Sequence, residues 1–167
     1  MDKPQPRTAF APAKEPDTAQ DAQAARRKRA MDSLARSDRG RLEAFLAREA
    51  ADLEVHAVRG PETGLVMVRG RIGGGGAPFN LGEATMSRAT IRLADGTIGH
   101  GQLLGSDRAH ARLAAIIDAL GQRADYAAQV NALVSAIEAD LTAADERLAE
   151  ETAATRVDFF TMVRGED

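Results

Sequence analysis

The chain contains no cysteine. That removes disulfides, thiolate metal sites, iron–sulfur ligation and a cysteine nucleophile from anything this polypeptide does by itself. Aromatic residues are scarce, with no Trp, one Tyr and five Phe among 167 residues. A core drawn from this composition rests on Ala, Val, Leu and Ile. Lysine is scarce too: of 22 basic residues, only Lys3, Lys14 and Lys28 are not arginine. Arginine stays charged and grips phosphate through two N–H groups at once. A GC-rich genome, which favours Arg and Ala codons together, explains the same bias. The net charge of -3 gives no general attraction to nucleic acid or anionic membrane. No apolar run is long enough to span a bilayer and no apolar leader opens the chain, so a cytoplasmic location is expected.

What is present reads as one domain. Residues 1–21 carry Pro4, Pro6, Pro12 and Pro16 among small and polar residues. They cannot bury enough apolar surface to offset their ordering entropy and are expected to form a disordered tail. Residues 22–167 are expected to form a single α+β domain. A helix is expected from about Asp21 to Arg36, and a second, capped by Ser37, through Ala50. The basic run at 26–29 reads as a solvated helix face. A helix-turn-helix is set aside because strands follow and the net charge is negative.

Strand signals then dominate. Residues 53–60 and 64–72 are rich in β-formers, and Pro61-Glu62-Thr63-Gly64 between them reads as a hairpin turn. The glycines at 73–76 break the second strand. Residues 79–93 form a long extended stretch with Gly82 as a bulge, and Asp95-Gly96 signals a hairpin into 98–104. The expected sheet is an antiparallel meander of about four strands, packed with the N-terminal helices. Two C-terminal helices follow. One is capped at Ser106/Asp107 and stops at Gly121, with Leu113, Ile116, Ile117 and Leu120 on one face. The other runs from about Arg123 to Thr152, with a narrow apolar stripe from Tyr126 through Leu141 to Leu148. An extended segment ends the chain.

Several residues are candidates for chemistry. Backbone N–H groups at Gly73 and Gly74 suit either a flexible connection or contact with a phosphate. A Walker loop is excluded, because Ala77, Pro78 and Phe79 lead into a strand rather than a helix. Asp107 and His110 fall in the first turn of one helix and can share a face, where the helix terminus favours neutral imidazole. His110 reads as a structural cap, a substrate contact or a base. His56, His100 and His110 do not present the three or four convergent ligands that a metal site needs. Arg88 and Arg92 share one strand face, which is either solvated or a basic strip for a triphosphate. Glu62 reads most simply as a turn residue. No Ser–His–Asp or Lys–Glu constellation assembles from spacing.

The last dozen residues are the least expected. Val157, Phe159, Phe160, Met162 and Val163 crowd a terminus, where chains are usually polar. Full burial contributes about 1.5–3 kcal/mol for each such side chain, whereas exposure invites aggregation. The segment is expected to be a partner interface, with Arg156, Asp158 and Arg164 giving polar register. An edge strand of the chain's own sheet is the alternative.

Taken together, Glu62-Thr63-Gly64, Ala84-Thr85 with Arg88-Ala89, Leu93 with Asp95-Gly96-Thr97, and Leu104-Gly105 with Asp107 and His110-Ala111 form a distinctive series. With the terminal Thr155-Arg156-Val157-Asp158-Phe159-Phe160, it resembles the PhnG family of the bacterial carbon–phosphorus lyase system. The likeness covers roughly residues 25–165. It implies a subunit of a hetero-oligomer with PhnH, PhnI and PhnJ, with more than one copy of each, acting also with PhnL. It implies a reaction in which an alkylphosphonate displaces adenine from ATP to give a ribose 1-alkylphosphonate 5-triphosphate. ATP is then a co-substrate of the complex, and iron–sulfur and S-adenosylmethionine chemistry resides on a partner, consistent with the missing cysteine. Catalytic groups are expected mostly on partners, and none is carried over to this chain. Arg88, Asp107, His110, Gly73 and Gly74 are the expected substrate contacts. Val157, Asp158, Phe159, Phe160, Met162 and Arg164 are the expected partner contacts. A pure scaffold and an independent small-molecule-binding regulator are the rival readings.

Overall fold

The computed structural model describes residues 18–72 and 75–155. Gly73, Gly74 and the terminal candidates Val157, Asp158, Phe159, Phe160, Met162 and Arg164 lie outside the described residues, as does most of the expected tail. The order is α1 (Thr18–Arg36), α2 (Arg39–Glu49), β1 (Val55–Arg71), β2 (Pro78–Leu93), β3 (Ile98–Leu104), α3 (Arg108–Gly121) and α4 (Ala127–Ala154). The fold is α+β, as expected, but the antiparallel sheet has three strands in the order β1-β2-β3.

Four boundaries differ from the sequence reading. α1 begins at Thr18, so residues 18–21 are helical. Ser37 does not cap α2: its hydroxyl donates to the Leu34 carbonyl and closes α1, while Asp38 accepts the Arg41 N–H at 3.2 Å and opens α2. α4 starts at Ala127 rather than Arg123. The expected hairpin at 61–64 does not exist, because residues 55–71 pair as one strand along β2. Two irregularities absorb the turn-like residues. Arg59 pairs with Thr90 and Glu62 with Arg88, leaving Val58, Gly60 and Pro61 out of register. Gly60 adopts φ 69°, which side chains avoid, and a Cβ there would lie 2.7 Å from the Glu62 amide nitrogen. The turn signals therefore serve bulges. A further register shift between Val68 and Arg69 falls opposite Leu81, beside the expected bulge at Gly82.

The expected hairpin at Asp95-Gly96 forms, with Gly96 at φ 90°. Leu93 and Thr97 close it through a backbone hydrogen bond of 2.9 Å. β3 then alternates strictly. Gly99, Gly101 and Leu103 face inward, and His100 and Gln102 face out. The two glycines permit unusually close helix–sheet packing. A Cβ on Gly99 would lie 2.0 Å from the Ala115 carbonyl oxygen, and one on Gly101 2.1 Å from that of Ala111. α3 answers with small residues, Ala111, Ala114, Ala115 and Ala119, all buried. This is how a chain with so few aromatics fills its core.

α3 is buried nearly all round, between the sheet on one side and α1, α2 and α4 on the other. Leu34, Leu42, Phe45, Ile91, Leu93, Ile117, Leu120 and Ile137 belong to the core built around it. The stripe on α4 is buried at Val130, Val134 and Ile137, and Leu148 beyond it is exposed. No helix among the described residues is long and apolar enough to cross a membrane.

Candidate functional site

The sheet has a second face, turned away from α3, and its side chains follow from register. Residues opposite one another in an antiparallel pair share a face. Arg59, Thr90 and His100 therefore make one cross-strand row, and Glu62, Arg88 and Gln102 the next. In a regular strand Arg59 and Glu62 would point to opposite faces. Gly60 and Pro61 together oppose the single residue Ala89, and this one extra residue brings Arg59 and Glu62 to the same face.

Glu62 is the centre of this face. Its Oε1 accepts from Arg88 Nε at 2.7 Å and from Arg59 Nε at 2.8 Å. The Arg88 bond, then the Arg59 bond, holds its carboxyl below the usual carboxylate range. Both guanidinium groups bind through Nε, so their Nη ends have no protein hydrogen-bond partner among the described residues. In the adjacent row the Thr90 hydroxyl and His100 Nδ1 are 3.1 Å apart. α1 flanks the face and closes a groove of about 590 Å³ against it. Arg27, Lys28, Met31 and Asp32 form the helical wall, and Arg59, Arg88, His100 and Gln102 line the sheet side.

One buried carboxylate fixes that wall. Asp118 on α3 accepts from Arg27 Nε at 3.0 Å and Nη2 at 2.6 Å, and from the His100 backbone N–H at 2.9 Å. The His100 amide lies on the outer edge of β3. Gln122 similarly donates to the Ile98 carbonyl at 2.8 Å. The edge strand is thus capped by side chains instead of being open to another strand.

The structure separates the other candidates from this groove. Asp107 caps α3, accepting the His110 backbone N–H at 2.9 Å, and pairs with Arg39 at 3.3 Å. Asp107 and His110, which can share a helix face, make no side-chain bond to each other. The His110 ring turns inward, is 6% exposed, and its Nε2 lies 2.8 Å from the Leu34 carbonyl oxygen. A carbonyl only accepts, so Nε2 carries the proton and the ring braces α3 against α1. His56 lies beside Glu54 at 3.2 Å. The three histidines therefore point to three different places, and no group of metal-ligating residues converges among the described residues. Arg88 does lie on the outer face, as expected. Glu62, expected to be a turn residue, is instead the shared partner of Arg88 and Arg59, and Arg59 escapes the sequence reading.

A second feature is a two-stranded ribbon. β1 has 17 residues and β2 16, well above the usual strand length. A strand of that size spans roughly 55 Å, against about 20 Å for α3, so the ribbon outruns the helices. Its far end exposes Leu65, Met67, Val68, Ile72, Phe79 and Leu81, with Leu65 64% and Ile72 76% accessible. Unlike the terminal segment, this apolar surface escapes the sequence reading. Its signal is length: two β-rich stretches too long for a sheet covered by short helices.

The comparisons with known proteins agree with one another. The family described as phosphonate metabolism protein PhnG matches residues 25–165. The chain is 64% identical over 152 residues to the alpha-D-ribose 1-methylphosphonate 5-triphosphate synthase subunit PhnG of Rhizobium meliloti (strain 1021). That alignment covers 90% of this chain and 96% of the relative. The chain belongs to the PhnG family of phosphonate metabolism proteins.

Proposed function

We propose that this chain is a non-autonomous subunit of a cytoplasmic complex that makes alpha-D-ribose 1-methylphosphonate 5-triphosphate, within the carbon–phosphorus lyase system. The observation that carries the reading is the near-full-length match to a subunit of that synthase. The ribbon supports its non-autonomous character. Six large apolar side chains held in water on a two-stranded arm are an aggregation hazard unless a partner covers them. The partners are PhnH, PhnI, PhnJ and PhnL, in an assembly with more than one copy of each core subunit. The ribbon is one contact with them, and the terminal segment from Val157 to Arg164 is a second.

In the reaction, a phosphonate oxygen forms a bond to the anomeric carbon of ATP as the bond to adenine breaks. Adenine leaves with a proton on its ring nitrogen. The step needs an oxocarbenium-like centre, a partner acid for the base, and neutralisation of the triphosphate. This chain supplies cationic surface for that last requirement, with Arg88 as its foremost residue. The groove holds one hydroxyl–imidazole pair, Thr90 with His100, and the bond-making groups for the reaction are assigned to partners. Iron–sulfur and S-adenosylmethionine chemistry also belongs to a partner.

The test is reconstitution with one subunit omitted at a time, following adenine release from ATP in the presence of methylphosphonate. Release is expected only when this chain and its partners are together. Full release without this chain, or release by this chain alone, would overturn the proposal.

A further inference from the structure

We infer that the groove between α1 and the outer face of the sheet is a binding site for a triphosphate chain, gripped by Arg59 and Arg88 and closed by Lys28. The inference rests on the reading above and specifies the ligand and the residues.

Glu62 organises the two arginines. One carboxylate oxygen accepts both Nε–H groups, which brings two cations together that would otherwise repel. It leaves the Nη edge of each guanidinium for a ligand. Each edge can bond an oxyanion in the charge-assisted manner typical of arginine. Lys28 lines the opposite wall and has no ion pair among the described residues. Three donor groups spread across one groove fit a chain of linked oxyanions better than a single one. Thr90 and Gln102 add neutral polar groups along the floor.

The charges opposing this are explicit. Asp32 lines the α1 wall, Glu62 lies beneath the two arginines, and Asp118 engages Arg27. Four cations thus face three carboxylates. That balance leaves the groove only weakly positive, so a monoanion gains little and a polyanion gains most. Its size, about 590 Å³, falls within the range of small-molecule sites.

The experiment uses the full chain assembled with its partner subunits, titrated with inorganic tripolyphosphate at fixed ionic strength. Arg59→Ala and Arg88→Ala are each expected to weaken binding about tenfold, as for loss of a hydrogen bond to a charged group. Lys28→Ala is expected to weaken it about threefold, as for a more exposed point charge. Arg112→Ala, the same charge change on the exposed side of α3, is the control and leaves binding unchanged. Unfolding midpoints of each variant separate lost binding from lost fold, and Arg59→Lys with Arg88→Lys provides a milder pair. Unchanged tripolyphosphate affinity in folded variants would overturn the inference. So would methylphosphonate binding that is lost in the same variants while tripolyphosphate binding persists. Failure of the broader functional reading looks different: the arginine variants would lose tripolyphosphate while adenine release continued without this chain.

Discussion

Asp118 on α3 accepts a hydrogen bond from the backbone N–H of His100 at 2.9 Å, across the outer edge of β3. The same carboxylate receives Arg27 in a bidentate pair. A single buried side chain thus sets the spacing between the sheet, the central helix and the helix that walls the groove.

Asp118→Ala should remove all three bonds and leave the His100 amide and the Arg27 guanidinium without them. Loss of one partner of a buried pair costs about 3–5 kcal/mol. The Arg27 side chain is 34% exposed, which reduces the figure to about 2–4 kcal/mol. Asp118→Asn keeps an acceptor for the amide and should lose less. Urea unfolding of both variants measures the difference, and equal losses would contradict this division of roles.

Gly101→Ala should be more disruptive than its single methyl suggests. The new Cβ would meet the Ala111 carbonyl oxygen at 2.1 Å, and that atom is backbone in a fully packed helix. Overpacking costs about 1–3 kcal/mol, and the rigid partner places this case at the upper end. A fall of roughly 6–12 °C in Tm follows for a domain of this size. Gly64→Ala is the comparison, since a Cβ added there would find nothing within 4 Å.

Acid should weaken the start of α3. Asp107 titrates below its ordinary value of 3.8, chiefly because it accepts the His110 backbone N–H, with Arg39 adding attraction. A carboxyl whose folded value is depressed contributes fully above its ordinary value, and that contribution is lost as pH falls through the folded value. Stability should therefore be flat from neutrality to about pH 5 and decline below about pH 4. Asp107→Asn retains a capping oxygen without the titration, so its decline should be shallower. Parallel slopes for the two proteins would refute the role of Asp107.

Leu65→Asp and Met67→Asp should leave the isolated fold within about 0.5 kcal/mol of the parent, because both side chains are already in water. Co-purification with partner subunits should fall steeply. Stable recovery of the intact complex with both substitutions would remove the ribbon from the interface.

Much of this architecture is legible from local chemistry. Asp107 before an amphipathic run marks α3, and Asp95-Gly96 marks the β2–β3 hairpin, because caps and tight turns are decided within a few residues. Local reading fails at residues 61–64, where glycine and proline mark a bulge as readily as a reversal. Only the partner strand distinguishes the two, and β2 is remote in sequence. The pairing of Glu62 with Arg59 and Arg88 is hidden for the same reason. The place of His110 is equally hidden, because its acceptor, the Leu34 carbonyl, belongs to a different helix.

The out-of-register residues of β1 also constrain how the gene can change length. Loss of one codon at Val58 or within Gly60-Pro61 would remove a bulge and leave every remaining residue of β1 with its present partner and on its present face. Loss of one codon in the regularly paired run from Glu62 to Val68 would instead reverse the inside–outside parity of every residue on one side of the cut. Tolerance to single-codon deletion along this one strand should therefore be patterned, permissive at its bulges and forbidding in the regular run beyond them.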